Sequence, residues 1–139
     1  GNIMSELSNI IIVEDSKTQA LLLESMLTES GYSVITLNDG LETVEFLKNC
    51  KTEVPKIIVT DINMPNMDGF QLSSHVKVHY PEISVLMLTL SNDENTLKKA
   101  FECGAVDFIT KPINKTEITL RINNVVNNKK LGESLSLSI

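Results

Sequence analysis

A doubly wound α/β sandwich, five parallel strands with helices on both faces, is the architecture that this chain of 139 residues specifies. Three observations point to it. Short continuous apolar runs recur along the chain, each bounded by turn residues, which is the pattern of strands buried on both sides. Between them stand stretches with apolar residues at helical spacing, opened by Ser, Asp or Asn and closed by Gly or Pro. The two alternate strictly with short connections, so the crossovers are right-handed and the sheet parallel.

The first run is Ile10 to Val13, followed by Ser16, which can cap a helix carrying Ala20, Leu22, Leu23, Met26 and Leu27 as far as Gly31. Ser33 to Leu37 is strand-like, and Asn38-Asp39-Gly40 turns into a helix with Leu41, Val44, Phe46 and Leu47. Ile57 to Thr60 forms the third run. The loop through Pro65 and Gly69 leads to a helix with Leu72 and Val76, which Pro81 breaks. Asp68 fits its N-cap. Ile83 to Thr89 is the fourth strand. Asn92 or Asp93 caps a helix with Leu97, Ala100 and Phe101 that ends at Gly104. Val106 to Ile109 is the fifth strand, and Ile118, Ile122, Val125 and Val126 mark a last helix at the 3.6-residue period. The folded domain is expected over residues 9–131. Residues 1–8 are expected to be disordered, with Gly1 ahead of Met4 read as a cloning remnant. Residues 132–139, where Ser alternates with Leu and no cap is present, read as a frayed tail or the start of a truncated linker.

The length suits one domain with a full core. Hydrophobic residues are 42% and charged residues 22%, a globular balance. Eighteen acids against 12 Lys and Arg give a net charge of −6, which argues against direct nucleic-acid binding. Aromatics at 4%, with no Trp, leave no platform for stacking bases. No apolar run approaches the ~20 residues of a membrane span, and no signal peptide opens the chain. Cys50 and Cys103 stand alone and read as reduced thiols, so the expected location is cytoplasmic.

The chemistry gathers at strand ends. Asp61 closes the third apolar run and opens the turn Ile62-Asn63-Met64-Pro65-Asn66-Met67-Asp68-Gly69, while the first run stops on Glu14 and Asp15. In open α/β sheets the carboxyl edge is where ligands bind. Two charges ~4 Å apart at an effective dielectric of about 20 interact by roughly 4 kcal/mol, so three gathered carboxylates need raised pKa values or a cation. Oxygen donors without His or Cys favour Mg²⁺ over zinc. Thr89 and Lys111, at the ends of the fourth and fifth strands, add a hydroxyl and a fixed positive charge. A carboxylate facing Mg²⁺, a Lys and a hydroxyl is arranged to accept a phosphoryl group and form an acyl phosphate.

The runs Val13-Glu14-Asp15-Ser16, Asp61 to Gly69, Thr89 and Phe108-Ile109-Thr110-Lys111-Pro112 appear in the order found in the receiver domains of two-component response regulators. The chain resembles that family from about Asn9 to about Lys130. The resemblance implies the flavodoxin-like strand order 2-1-3-4-5 and the following roles. Asp61 receives phosphate from the phosphohistidine of a sensor histidine kinase or phosphotransfer protein. Asp15 and Asp61 bind Mg²⁺ directly, Glu14 through water, and the Asn63 backbone carbonyl completes the set. Lys111, followed by a cis Pro112, contacts the phosphoryl group. Thr89 moves toward it and Phe108 turns inward, shifting the surface of the fourth helix, fifth strand and fifth helix for an output protein or linked output domain. The domain is then a switch rather than an enzyme beyond its own phosphotransfer and autodephosphorylation. Leu90 is bulkier than the small residue often found after that Thr, and is expected to modulate access to the phosphorylated site.

Two other classes compete. A Mg²⁺-dependent aspartyl-phosphate phosphatase or phosphomutase also places an Asp nucleophile at a strand end, but needs a second Asp two residues on, where this chain has Asn63. A flavodoxin-like redox or nucleotide binder lacks its glycine-rich phosphate loop after the first strand. His75 and His79, four apart on one helix, read as a residue flanking the core and a residue suiting the helix C-terminus, rather than a metal pair.

Overall fold

Parallel pairing of β1 (Asn9–Val13) with both β2 (Ser33–Leu37) and β3 (Ile57–Asp61) organises the sheet; β4 (Ser84–Thr89) and β5 (Asp107–Thr110) extend it in the order 2-1-3-4-5. The computed structural model describes residues 9–51 and 53–137, and side chains as far as residue 129. The helices are α1 (Lys17–Glu29), α2 (Gly40–Lys48), α3 (Gly69–His79), α4 (Glu94–Glu102) and α5 (Lys115–Leu137).

Alternation along the buried strands sorts the core into two layers. Ile10 and Ile12 of β1 pack with Leu23 and Leu27 of α1 and with Ile118, Ile122, Val125 and Val126 of α5. Ile11 and Val13 point the other way, onto Leu47 of α2 and Leu72 and Val76 of α3. Ala100 of α4 closes that second face with Met87 and Ile62. The α1/α5 layer is also tied by polar bonds: Ser30 and Thr119 share a 2.9 Å hydrogen bond, Lys115 donates to Glu29 at 2.7 Å, and the Tyr32 hydroxyl donates to Asn123.

The caps fall where short polar side chains can satisfy the orphan amides of a first turn. Ser16, Asp39, Asp68 and Asp93 accept from the backbone of Gln19, Glu42, Gln71 and Thr96, and Gln71 completes a capping box by accepting from the Asp68 amide. Gly31 and Gly104 follow the ends of α1 and α4 at φ 95° and 94°, where a Cβ is disfavoured.

The structure departs from the sequence reading in three respects. Leu22 and Phe101, assigned to helix stripes, are 50% and 48% exposed; three consecutive leucines cannot all face the sheet, and α1 buries Leu23. β4 begins at Ser84 and β5 runs from Asp107 to Thr110, a shift of one residue. Helix α5 runs on to Leu137, through the segment read as a tail, because Gly132 costs a helix about 1 kcal/mol without terminating it. The expectation for residues 1–8 lies outside the described residues.

Ile58 is fully buried between β1 and β4. Ile58→Ala is expected to lower the unfolding free energy by about 2–5 kcal/mol. Leu22→Ala should stay within about 0.5 kcal/mol. Urea denaturation of both variants checks the contrast.

Candidate functional site

Glu14, Asp61, Thr89 and Lys111 stand at or just beyond the carboxyl ends of four strands. β1 ends one residue before Glu14, β3 ends on Asp61, β4 on Thr89 and β5 one residue before Lys111. The Lys111 amide donates to the Thr89 carbonyl at 2.8 Å, continuing the β4–β5 ladder beyond the last paired residues. The Lys111–Pro112 peptide is cis.

Glu14, Asp15 and Asp61 each offer a carboxylate oxygen to one point, these atoms lying within 4.8 Å of one another. Lys111 Nζ lies 3.1 Å from Asp61 Oδ1 and 3.4 Å from Glu14 Oε1. Asp61 Oδ1 also accepts from the Ile62 amide at 3.0 Å, so two donors orient that carboxylate. Glu14 is 2% exposed and accepts from the Ser16 amide at 3.2 Å. Burial, with the Asp61 and Asp15 carboxylates nearby, holds its pKa above the ordinary range, although the Ser16 amide and Lys111 pull the other way. Asp15 is exposed to solvent.

One ammonium against three carboxylates leaves two negative charges uncompensated when all are ionised. An all-oxygen donor set with that excess suits a hard divalent cation, and Mg²⁺ fits it. Among the described residues no other group of three His, Cys, Asp or Glu converges in this way.

Thr89 is buried but turns its hydroxyl to Ser91, donating to the carbonyl at 2.6 Å and accepting from the amide at 3.1 Å. Phe108 is half-buried and meets Phe101 edge-on at 6.0 Å between ring centres. Leu90 is 77% exposed. Asn63 is exposed in the loop between β3 and α3. Close passage of that loop under Asp61 requires Gly69, where a Cβ would come 2.5 Å from the Asp61 carbonyl oxygen.

One feature escaped the sequence reading. Asn66 holds φ at 71° and donates from Nδ2 to Asp39 Oδ2 at 3.1 Å, joining this loop to the cap of α2. The Asp39-Gly40 turn and the Pro65-Asn66 pair were each visible, but nothing local announces that they meet. His75 and His79 stack with ring centres 4.3 Å apart; partial burial and then the His79 charge lower the His75 pKa.

Comparison with known proteins identifies the family. The family described as "Response regulator receiver domain" matches residues 10–123. The alkaline phosphatase synthesis transcriptional regulatory protein PhoP of Bacillus subtilis is 33% identical over 123 residues, 88% of this chain and 50% of its own length. The signal receiver domain of a Syntrophus aciditrophicus histidine kinase is 36% identical, with TM-score 0.78 over 87% of this chain and 91% of that one. The receiver domain of a Pseudomonas aeruginosa sensor histidine kinase, PA1611, solved with magnesium in its active-site cleft, has TM-score 0.76 over 86% and 98% of the two chains. At 20% identity it shows the fold alone. The chain spans half or less of the length of the first curated relatives it matches. Two of these are named transcriptional regulatory proteins, so the expectation that nucleic acid is no partner finds no support at the level of a whole protein. Among the described residues no helix is long and apolar enough to cross a membrane.

The raised Glu14 pKa sets a pH dependence. The folded state binds this proton more tightly than the unfolded chain, so stability falls as pH rises through the raised value. Glu14→Gln removes that loss. In metal-free buffer near neutral pH its Tm is expected to rise above that of the wild type, with a smaller gain near pH 5. Thermal melts at the two pH values decide it.

Proposed function

The chain belongs to the response regulator receiver domain family, the phosphorylatable switches of two-component signalling, and on that footing we propose that Asp61 is the phosphoacceptor. The observation that carries this reading is convergence: Lys111 Nζ lies 3.1 Å from Asp61 Oδ1 beside three carboxylates within 4.8 Å of one another. A carboxylate oxygen of Asp61 attacks the phosphorus of a phosphohistidine on a sensor kinase or phosphotransfer protein. The P–N bond breaks, and its electron pair stays with the imidazole. The Ile62 amide and Lys111 both engage Oδ1 of the attacking carboxylate and orient it. Lys111 then faces the phosphoryl oxygens, where a fixed positive charge is worth most.

Mg²⁺, when bound, neutralises charge on the phosphoryl oxygens. Asp15 and Asp61 would hold it directly, Glu14 through water and Asn63 through its backbone carbonyl. The acidic cluster supports this. Thr89 releases Ser91 and turns its hydroxyl to the phosphoryl group, and Phe108 fills the space it leaves. The α4-β5-α5 surface shifts as a result, and an output protein or linked output domain reads it. The switch works in the cytoplasm and turns over no external substrate. Asn63, standing where a phosphatase or phosphomutase of the aspartyl-phosphate class needs an acid, supports that distinction.

Incubation with acetyl phosphate and Mg²⁺, followed by intact mass measurement, tests the assignment. A single phosphoryl adduct is expected, absent from Asp61→Asn; rapid turnover of phosphomonoesters would mark an enzyme instead. Leu90, which follows Thr89 directly and is 77% exposed, hinders water and slows loss of the phosphoryl group. Leu90→Ala should therefore dephosphorylate faster than wild type, and an unchanged rate discards the role.

A further inference from the structure

We propose that Asp39 and Asn66 are positioning residues for the cation site, tying the loop that presents the Asn63 carbonyl to the cap of α2. The inference rests on the reading of Glu14, Asp15, Asp61 and Asn63 as the Mg²⁺ ligands, and adds two residues that touch neither metal nor phosphate.

The loop from Ile62 to Asp68 is anchored at its base, where the Gly69 amide donates to the Ile62 carbonyl at 2.7 Å. Its tip is a three-residue turn: the Met67 amide donates to the Pro65 carbonyl at 2.8 Å around Asn66. Asn66, at φ 71°, is the sole non-glycine at positive φ among the described residues. A turn of this hand is rare and strained, and persists only where surrounding contacts hold it. Those contacts come from the neighbouring turn. Asp39 Oδ1 accepts from the Glu42 amide at 2.9 Å, which suffices to cap α2. Its second oxygen crosses to Asn66 Nδ2 at 3.1 Å. Beside this bond Met67 lies against Gly40 so closely that a Cβ there would meet Met67 Cγ at 2.8 Å.

Asn63 sits between the two anchors, three residues from the tip. Releasing the tip lets the strained turn relax, and the segment that moves includes the carbonyl at Asn63. The cap of α2 thereby sets the height of a metal ligand on a different loop.

Calorimetric titration of Mg²⁺ into the full chain tests the idea with three variants. Asn66→Gly deletes the tie while suiting a positive φ. Asp39→Ser keeps a good cap but is too short to reach Asn66. The double variant measures coupling. Each single change is expected to weaken Mg²⁺ binding about fivefold, the worth of one hydrogen bond in a partly exposed setting. The double variant should be no weaker than the weaker single one. Thermal melts without metal should show Asp39→Ser close to wild type, which a purely structural role would not produce alongside lost affinity. Wild-type affinity in both single variants, or additive losses in the double, overturns the proposal. Absence of Mg²⁺ binding in wild type overturns the reading of the metal site itself, and the inference with it.

Discussion

Mutual repulsion of acids at one sheet edge is the constraint around which this structure is built. Three carboxylates that the chain collects from two strands would drive that edge apart in isolation. The Lys111 ammonium, only 13% exposed, stands against two of them and compensates part of the charge. Backbone amides of Ser16 and Ile62 supply the rest of what the folded chain alone provides. A partly buried cluster of this kind contributes little to stability, because desolvating its buried charges costs as much as pairing returns. Its retention makes sense as poise: the edge is held together, yet short of two positive charges.

The same edge is where the layers of the domain connect. The Lys111 amide is bonded to the Thr89 carbonyl, and Met87 and Thr89 of β4 pair in register with Phe108 and Thr110 of β5. Displacement of either strand end is thus felt by the other, and through Phe108 by Phe101 on α4. On the opposite face, α1 and α5 are cross-bonded by Ser30 to Thr119 and Lys115 to Glu29. The other layer carries a polar tie of its own, Ser73 Oγ of α3 donating to the Cys103 carbonyl at the end of α4 at 2.8 Å.

Much of this was legible from the order of residues. Ile10 to Val13 and Ile57 to Thr60 read as buried strands because no polar residue interrupts them, and the acids that follow read as edge residues because turn signals come next. Ser16, Asp39, Asp68 and Asp93 announced helix starts through chemistry confined to one turn. What could not be read depends on contacts between distant segments. The choice of Leu23 over Leu22 for the core is decided by the rotation of α1 against the sheet. The engagement of the Thr89 hydroxyl with Ser91 is decided by the local path after β4. The meeting of Asn66 with Asp39 spans 27 positions and has no sequence period to betray it.

The contact between Glu14 and Lys111 joins residues 97 positions apart. Asp61 leaves the ribosome well before Lys111 does, so a partly synthesised chain has its acids with no such cationic partner beside them. The compensated edge consequently arrives all at once, when the fifth strand docks and brings Lys111 to Glu14 and Asp61.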